Sequence, residues 1–396
     1  MRILFISFYF EPDLCAGSFR NTPLFYELCS QLNDDDFVHV ITTQPNRYKT
    51  FKTNGDKVEK GGNYEINRIK IPEHKSGMFD QAKSFYTFYS KTRELIKGKD
   101  YDLVYASSSR LFTAFLGRSI ASSKKIPLYL DIRDIFVDTI KDVLLNKKYI
   151  QKPVTIFAKC IEKYTFSKAD HINLVSEGFK SYFNRYPNPS YSYFTNGIDD
   201  EFMDIGIGNS LKQSKPIVIT YAGNIGSGQG MEKIIPFAAK ELGNDYLFRI
   251  IGDGGTKALL IDKLKELGVE NVEIIDPVSR PQLIEYYKET TFLFLHLNDL
   301  EAFKKVLPSK IFEYGAFDKP IIAGVSGFAA QFIRENISDY ILFKPTDVSD
   351  FVNQIKKFSS TFEHRTNFIK KFGRKNIMRE MAQDILSLSN KRVKNV

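Results

Sequence analysis

A glycine-rich loop is the segment of this sequence best suited to hold a phosphorylated ligand. The run GSGQG, which begins with Gly226, Ser227 and Gly228, lies between a predicted strand and a predicted helix. Its backbone amides could bind a diphosphate at the start of that helix. No Gly-Lys-Ser/Thr sequence follows, which excludes a P-loop. Met231 occupies the place of the third glycine of a dinucleotide-binding fingerprint.

A lysine and a glutamate at helical spacing form the second candidate. Pro308 and Ser309 are typical of a helix start, and Lys310 and Glu313 then share one helix face. Lys310 could place positive charge beside a phosphate, and Glu313 could accept hydrogen bonds from both hydroxyls of a ribose. The alternative is a surface ion pair, which contributes little to stability.

Two further glycine loops follow predicted strands. Gly17 lies in the loop 10–20, where it would let the backbone approach a phosphate. Gly252 lies in the loop 251–255, where it could make room for a flat base. In both places the alternative is a simple turn between a strand and a helix.

The carboxylates favour no hydrolytic mechanism. A glycosidase needs two carboxylates on opposite sides of a sugar, whereas Asp131 and Asp134 share one strand end beside Arg133. Arg133 and Asp134 could instead orient an acceptor or a sugar, or form a buried ion pair. No GxSxG sequence indicates a nucleophilic serine.

No group of residues has the spacing of metal ligands. The five histidines are isolated, and we expect no metal and no cofactor. His296 follows a predicted strand and could face a ligand, but a core or loop histidine is the preferred interpretation.

Short apolar runs alternate with helical periods along the whole chain, which predicts an α/β fold with parallel sheets covered on both faces. The predicted strands are 2–8, 38–43, 64–71, 103–106, 128–131, 172–175, 217–222, 247–251, 272–275, 292–297 and 320–323. The predicted helices are 18–32, 80–98, 111–123, 150–168, 176–185, one from about 230, 256–267, 280–289 and 308–316.

The pattern restarts near residue 200, which predicts two doubly wound domains. We assign 1–200 to a first, N-terminal domain and 201–375 to a second, C-terminal domain, with a polar linker at 200–215. The segment 361–390 is predicted to be helical, and 376–396 to cross back to the first domain. Ligands of such sheets bind at the carboxyl ends of the strands.

Composition limits the class of protein. The chain has 396 residues, 43% of them hydrophobic and 26% charged, which excludes disorder and disulfide scaffolds. Three separated cysteines argue against structural zinc and for a reducing compartment. No apolar run approaches the about 20 residues of a membrane-spanning helix, and the chain opens on a strand, so we expect a cytoplasmic protein.

The net charge of +9 suits an anionic partner. Residues 82–99 interleave basic residues with aromatic ones, and 141–170 hold seven lysines against three acids. Such helices suit an anionic membrane surface, although an ordinary solvated basic face is the alternative. No nucleic-acid-binding module is recognisable, so no nucleic acid partner is expected.

Taken in order, these motifs resemble family 4 of the retaining, nucleotide-sugar-dependent glycosyltransferases, which have the GT-B fold of two Rossmann-like domains facing a cleft. The branch most similar builds bacterial O-antigen and capsule and includes L-fucosamine transferases. The matching segments are 9–17, 130–134, 175–178, 196–199, 221–226, 251–254 and 308–314.

The resemblance implies roles for individual residues. Glu313 matches the glutamate that holds the nucleotide ribose, and Gly17 matches a loop glycine near the donor phosphates. Residues 226–230 match the loop beside the diphosphate, and Val278 and Ser279 fall where backbone groups meet the base.

The sequence also departs from the family pattern. Lys305 stands where the family has its first glutamate, Asn224 and Gln229 replace its loop arginine and lysine, and Arg133 replaces a histidine near the acceptor. The charge missing from the loop is then expected from Lys310, or from one of its two upstream neighbours, Lys304 and Lys305.

The resemblance therefore implies a retaining glycosyltransferase that moves a sugar, expected to be an N-acetylated amino or deoxy sugar, from a UDP-sugar to a polyprenyl-diphosphate-linked glycan. It would lie at the inner face of the plasma membrane. Two other classes remain open: a sugar-nucleotide epimerase, which acts without an acceptor, and a non-catalytic GT-B-like subunit.

Overall fold

The chain divides into two compact units. The computed structural model describes residues 1–13, 15–46, 55–72, 78–108, 110–143, 148–203, 215–359 and 364–393. Unit 1 comprises Met1–Asn196 and Arg374–Val396, and unit 2 comprises Gly197–Gly373. Most of the predicted linker at 200–215 lies outside the described residues.

Unit 1 alternates strands and helices. Its elements are β1 (Arg2–Ile6), α1 (Ser18–Gln31), β2 (Phe37–Thr43), β3 (Val58–Lys60), β4 (Tyr64–Ile69), α2 (Met78–Leu95), β5 (Leu103–Ser108), α3 (Leu111–Lys124), β6 (Leu128–Ile132), α4 (Phe136–Val143), α5 (Lys148–Phe166), β7 (His171–Leu174), α6 (Lys180–Phe183) and β8 (Ser190–Ser192). In the described residues the sheet order is β3-β4-β2-β1-β5-β6-β7-β8; β3 pairs antiparallel with β4, and the other neighbouring strands pair parallel. The central strands are buried throughout, as expected when helices cover both faces.

Unit 2 repeats the design with a smaller sheet. Its elements are β9 (Ile217–Asn224), α7 (Met231–Leu242), β10 (Tyr246–Asp253), α8 (Lys257–Leu267), β11 (Val272–Ile275), α9 (Arg280–Glu289), β12 (Phe292–His296), α10 (Lys310–Gly315), β13 (Ile321–Gly324), α11 (Phe328–Asn336), β14 (Tyr340–Phe343), α12 (Val348–Lys357) and α13 (Thr366–Phe372). All six strands are parallel, in the order β11-β10-β9-β12-β13-β14.

The last helix of the chain, α14 (Arg374–Val393), belongs to unit 1. Met378, Met381 and Ile385 are fully buried, and Asp384 accepts a hydrogen bond of 2.9 Å from the Tyr129 hydroxyl on β6. Where the chain leaves unit 2, the Ile198 N–H donates to the Phe372 carbonyl at 2.8 Å. The two connecting stretches therefore run side by side.

The predicted α/β class with two doubly wound parallel sheets is confirmed. The sequence did not predict α4 or the short strands β3, β8 and β14. The predicted helix 176–185 is instead a 3-10 turn, Glu177–Phe179, followed by the four residues of α6. The predicted helical segment 361–390 is two helices that meet at Gly373, and its first residues lie outside the described part of the chain.

Candidate functional site

The glycine loop of unit 2 lies at a topological switch point. The chain proceeds from β9 to β10 on one side of the sheet and returns to β12 on the other. A crevice therefore opens at the carboxyl end of β9, which is where ligands of open α/β sheets bind. The loop joins that end of β9 to α7.

Two paired glycines allow β9 and β10 to approach each other closely at this strand end. Gly223 and Gly252 are register partners on β9 and β10, with φ angles of 151° and 143° that favour glycine. A Cβ on Gly252 would lie 1.9 Å from the Gly223 carbonyl oxygen. Gly252, a predicted donor-binding residue, is thus required by the close approach of two strands.

Lys310 lies along the backbone of Gly223. A Cβ on Gly223 would be 2.5 Å from Cε of Lys310 and 3.3 Å from its Nζ. The ammonium lies 5.9 Å and 5.5 Å from the ring centroids of Tyr221 and Tyr314, a cation–π arrangement. The structure therefore brings Lys310 to the carboxyl end of β9.

Glu313 is held beside that ammonium. Its Oε1 lies 3.7 Å from Nζ of Lys310 and accepts a hydrogen bond of 2.5 Å from the Tyr287 hydroxyl. The Lys310 and Glu313 side chains are 20% and 22% exposed, so they form a recessed pair rather than a solvated surface pair. The helical spacing predicted their contact; nothing in the sequence indicated Tyr287.

The glycine loop of unit 2, residues 226–230, is braced by hydrogen bonds from Asn298 and within the loop itself. Asn298 donates from its backbone N–H to the Gly228 carbonyl at 2.8 Å and from Nδ2 to the Ser227 carbonyl at 3.1 Å. The Gly228 N–H belongs to the same peptide unit as the Ser227 carbonyl and points in the opposite direction. It therefore faces away from Asn298. The amides of Gln229 and Gly230 both donate to the Gly226 carbonyl, at 3.0 and 3.2 Å. Two amides of the predicted cradle therefore close the turn instead.

Lys304 and Lys305 lie in a 3-10 turn, Glu301–Lys305, which also carries Phe303 against Gly228. Lys304 forms an ion pair with Glu301, and that hydrogen bond raises the pKa of Lys304. Ser309 precedes α10, and its carbonyl accepts from Phe312 N–H at 3.1 Å. Among the predicted lysines, Lys310 is the one that meets Glu313.

Ser279 caps the helix that carries Tyr287. Its backbone N–H and its hydroxyl donate to Gln282 Oε1 at 3.2 and 3.0 Å, a capping box at the start of α9. Val278 precedes it in the loop after β11 and is partly exposed. The Ser279 N–H, one of the backbone groups expected near a base, thus donates to Gln282 within the capping box.

His296 is a core histidine. Its Nε2 accepts from Thr346 N–H at 2.9 Å, so its Nδ1 must donate to the Gln229 carbonyl, at 2.5 Å. Both ring nitrogens are used, and burial lowers its pKa to about 4.

Lowering the pH below about 6.5 should reduce folding stability because of His296. The unfolded chain takes up the proton near pH 6.5, whereas the folded ring resists it until about pH 4, so the stabilisation is complete above 6.5 and is lost as pH falls towards 4. Between pH 7 and 5 the free energy of unfolding should drop by about 2 kcal/mol from this residue. Denaturation of wild type and His296→Gln at both pH values measures it: the drop should be smaller in the variant, and equal drops would contradict it.

In unit 1, Arg133 supports the loop after β1. Its Nη2 donates to the Ala16 carbonyl at 2.8 Å, and Gly17 packs against its guanidinium. Asp134 is exposed and accepts from Ile135 N–H at 2.8 Å. Arg133 and Asp134 thus have different partners, and the alternative of an ion pair between them was wrong.

The buried ion pair of this strand end is Arg20 with Asp131. Nε and Nη2 of Arg20 donate to the two carboxylate oxygens at 2.8 and 2.9 Å, and both side chains are fully buried. Burial opposes ionisation of Asp131, but the Arg20 guanidinium lowers its pKa. This pair orders the strand end next to Arg133.

In the described part of the chain, no group of three or more His, Cys, Asp or Glu residues could hold a metal ion. The expectation that the protein uses no metal stays a prediction. No described helix is both long and apolar enough to cross a membrane.

Comparison with known proteins gives a matching family model and a curated relative. The family of glycosyl transferases group 1 matches residues 206–375. The chain is 26% identical over 215 residues to the Escherichia coli (strain K12) protein named as the colanic acid biosynthesis glycosyl transferase WcaI, a match that covers 51% of this chain and 52% of WcaI. The chain thus spans about half the length of the curated relative that it matches.

Two solved structures share the fold. Sucrose-phosphate synthase from Thermosynechococcus elongatus has a TM-score of 0.74 at 13% identity, covering 98% of this chain and 99% of that one. Anabaena Alr3699/HepE in complex with UDP-glucose has a TM-score of 0.61 at 13% identity, covering 100% and 99%. Residues 206–375, which make up most of unit 2, thus match the model of the glycosyl transferases group 1, and the chain has the fold of the GT-B glycosyltransferases.

Proposed function

We propose that this protein is a retaining glycosyltransferase of family 4 that transfers a sugar from a UDP-sugar to a lipid-linked glycan of a bacterial surface polysaccharide. The observation that carries the proposal is the recessed pair of Lys310 and Glu313 beside Gly223. It lies at the carboxyl end of β9, where the glycine loop of unit 2 begins.

The pair offers the two chemistries that a nucleotide sugar needs. The Glu313 carboxylate can accept hydrogen bonds from the ribose hydroxyls. The Lys310 ammonium can neutralise the negative charge that develops on the leaving diphosphate, a task for which the loop residues Asn224 and Gln229 carry no charge. The Gly228 amide adds a donor on the same loop.

The reaction that fits these groups needs no covalent nucleophile. The bond from the anomeric carbon to the diphosphate oxygen breaks, and the bond to the acceptor oxygen forms on the same face of the sugar. The acceptor proton passes to the leaving phosphate oxygen. Arg133 would support the loop around Gly17, and Asp134, which is exposed, would orient the acceptor.

The substrate class follows from the resemblance and from WcaI. We assign an N-acetylated amino or deoxy sugar as the transferred group, a polyprenyl-diphosphate-linked glycan as the acceptor, and O-antigen or capsule as the product class. WcaI is named for colanic acid biosynthesis. Such an acceptor would place the enzyme at the inner face of the plasma membrane.

The surface best suited to that membrane is the outer face of α5, defined here by Tyr149, Ile156, Phe157 and Tyr164. These side chains are 98%, 63%, 61% and 45% exposed. Exposed lysines flank them at positions 152, 159 and 163, while Glu162, the one acid of α5, is buried. Apolar side chains between lysines suit an anionic bilayer.

The aromatic residues of α2 suit it less. Phe88 is fully buried, and Phe85 and Tyr89 pack against Phe112 and Phe115 of α3. Tyr86 remains exposed, at 71%. Of these aromatics, expected to interleave with basic residues at a membrane, three therefore pack against other side chains of unit 1.

Replacing Ile156 and Phe157 together with serine should weaken binding to vesicles of phosphatidylcholine and phosphatidylglycerol by about tenfold or more, because each apolar side chain contributes about 1.5–3 kcal/mol on burial. Tyr86→Ser is the matched control on α2. Co-sedimentation gives the bound fraction, and phosphatidylcholine alone should bind less. Equal binding by the double variant and wild type would exclude the α5 face.

Release of nucleoside diphosphate from a panel of nucleotide sugars tests the activity, with membrane extract as the source of acceptor. We expect UDP release from one donor, dependent on the extract, and its loss in Glu313→Ala. Glu285→Ala on α9, an exposed glutamate paired with Lys288, is the matched control. Turnover that survives in Glu313→Ala would contradict the assigned site.

One observation favours a second function, that of a non-catalytic subunit: Lys305 replaces the first glutamate of the family motif. Such a subunit would bind UDP yet consume none of the donors, with or without extract. UDP binding without turnover across the whole panel would favour it over the transferase.

A further inference from the structure

Tyr287 is a fully buried tyrosine whose hydroxyl contacts Glu313. The hydroxyl donates to Oε1 of Glu313 at 2.5 Å, between residues 26 positions apart in the sequence. The ring packs edge-on against Tyr314 and Phe317, with centroid distances of 5.6 and 5.1 Å. Neighbours on two sides therefore restrict its rotation.

The helix that carries Tyr287 is anchored at its start. The Ser279 capping box fixes the first turn of α9, and Arg280 pairs with Asp199 at 2.9 Å and Glu201 at 2.8 Å. Helix start, ring packing and hydroxyl contact together leave Tyr287 little freedom. A hydrogen bond from such a residue fixes its acceptor.

Tyr287 also stays protonated. Burial, and then the nearby Glu313 carboxylate, raises its pKa well above the ordinary value. The hydroxyl thus remains a donor, and Oε1 of Glu313, which also faces Lys310 at 3.7 Å, remains its acceptor. With Oε1 engaged by Tyr287 and facing Lys310, Oε2 is the oxygen left to receive hydroxyls of a ligand.

We propose that Tyr287 is a positioning residue that orients the Glu313 carboxylate toward the ribose hydroxyls of a nucleoside diphosphate. This inference rests on the proposed function, since it takes Glu313 to bind ribose. It adds that discrimination of a ribose from a ligand without hydroxyls depends on a side chain that never touches the ligand. The net contribution of a hydrogen bond to a charged group is large enough that its loss should change binding by about tenfold.

Calorimetric titration with UDP and with 2′,3′-dideoxy-UDP tests it on the full chain. Tyr287→Phe should bind UDP about tenfold more weakly than wild type while binding the dideoxy nucleotide nearly as well. Tyr286→Phe is the matched control, since Tyr286 is the next residue on α9 and its ring lies under Arg249, 4.9 Å away. It should bind both nucleotides like wild type.

The outcomes distinguish a failure of the inference on Tyr287 from a failure of the proposed role of Glu313. If Tyr287→Phe loses the same factor for both nucleotides, its role is structural and the inference is overturned. If wild type and Glu313→Gln bind UDP equally, Glu313 does not hold the ribose and the proposed function of that residue fails first. In the double variant with Tyr287→Phe and Glu313→Gln, UDP binding should be no weaker than in Glu313→Gln alone, because the effects of two residues in contact are not additive. An additive loss would overturn the inference even if Tyr287→Phe alone folds poorly.

Discussion

Replacing Lys310 with methionine should lower kcat for sugar transfer by about 10²- to 10³-fold, the usual cost of removing one group that stabilises developing negative charge. Methionine keeps an unbranched apolar stem over Gly223, so the variant removes the ammonium while filling similar space. The charge matters here because Asn224 and Gln229 leave the loop without a cation of its own. Initial rates of UDP release, with the donor that the panel identifies, measure the effect.

Lys263→Met is the matched control. Lys263 forms a pair with Glu266 at the same helical spacing, in the same unit, at 2.9 Å. Its pair lies on α8 rather than at the carboxyl end of β9, so its activity should stay near that of wild type. If Lys310→Met keeps kcat within a few-fold of wild type, the leaving diphosphate is neutralised elsewhere and Lys310 is a structural residue.

The contact between Lys310 and Glu313 was predictable because it is local. Two residues three apart on a helix share a face in any fold, so spacing alone supplied the neighbour. The recessed position of the pair was not predictable, since it depends on Gly223, which lies on strand β9 and is distant in sequence from α10. A sequence shows that Gly223 ends a strand, but the register that pairs it with Gly252 exists only in the folded sheet.

Arg20 and Asp131 show the same limit more sharply. For the strand end 130–134, an ion pair between the adjacent Arg133 and Asp134 was the alternative to a role in orienting a ligand. The structure instead pairs Asp131 with an arginine 111 residues earlier, on the helix that follows β1. Adjacent residues on an extended segment point in opposite directions, so adjacency argued against that alternative.

The sheets were predictable for a physical reason that also explains why two of the missed strands, β3 and β8, were not recognised. A central parallel strand is buried on both faces and must be apolar, as in the five fully buried residues of β6. Edge strands face water and lose that signature: β3 reads Val-Glu-Lys and β8 reads Ser-Tyr-Ser. Strands this short and polar are distinguished from loops by their pairing partners alone.

Asp131→Asn should destabilise unit 1 by about 3–5 kcal/mol, because it leaves the Arg20 guanidinium buried without its counter-charge. Two carbonyl oxygens, of Phe194 and Thr195, would still accept from Arg20 at 2.8 and 2.7 Å, but they carry no net charge. Asn173 also loses a charged acceptor, now 2.7 Å from its Nδ2. Amide hydrogen exchange on β6 and α1 reports on this unit by itself.

A double variant that removes both charges distinguishes the effect of the charges from the effect of the space that the two side chains fill. Arg20→Met with Asp131→Leu deletes the isolated charge as well as its partner, so the double variant should be more stable than Asp131→Asn. The same double variant leaves Lys310 and Glu313 unchanged, because they lie in unit 2, and UDP binding should persist in it. A cost below about 1 kcal/mol for Asp131→Asn would contradict the argument, since a surface pair loses no more than that. If the double variant is less stable than wild type but more stable than Asp131→Asn, and still binds UDP, the ion pair of Arg20 and Asp131 serves the folding of unit 1. Ligand binding then depends on the recessed pair of Lys310 and Glu313 in unit 2.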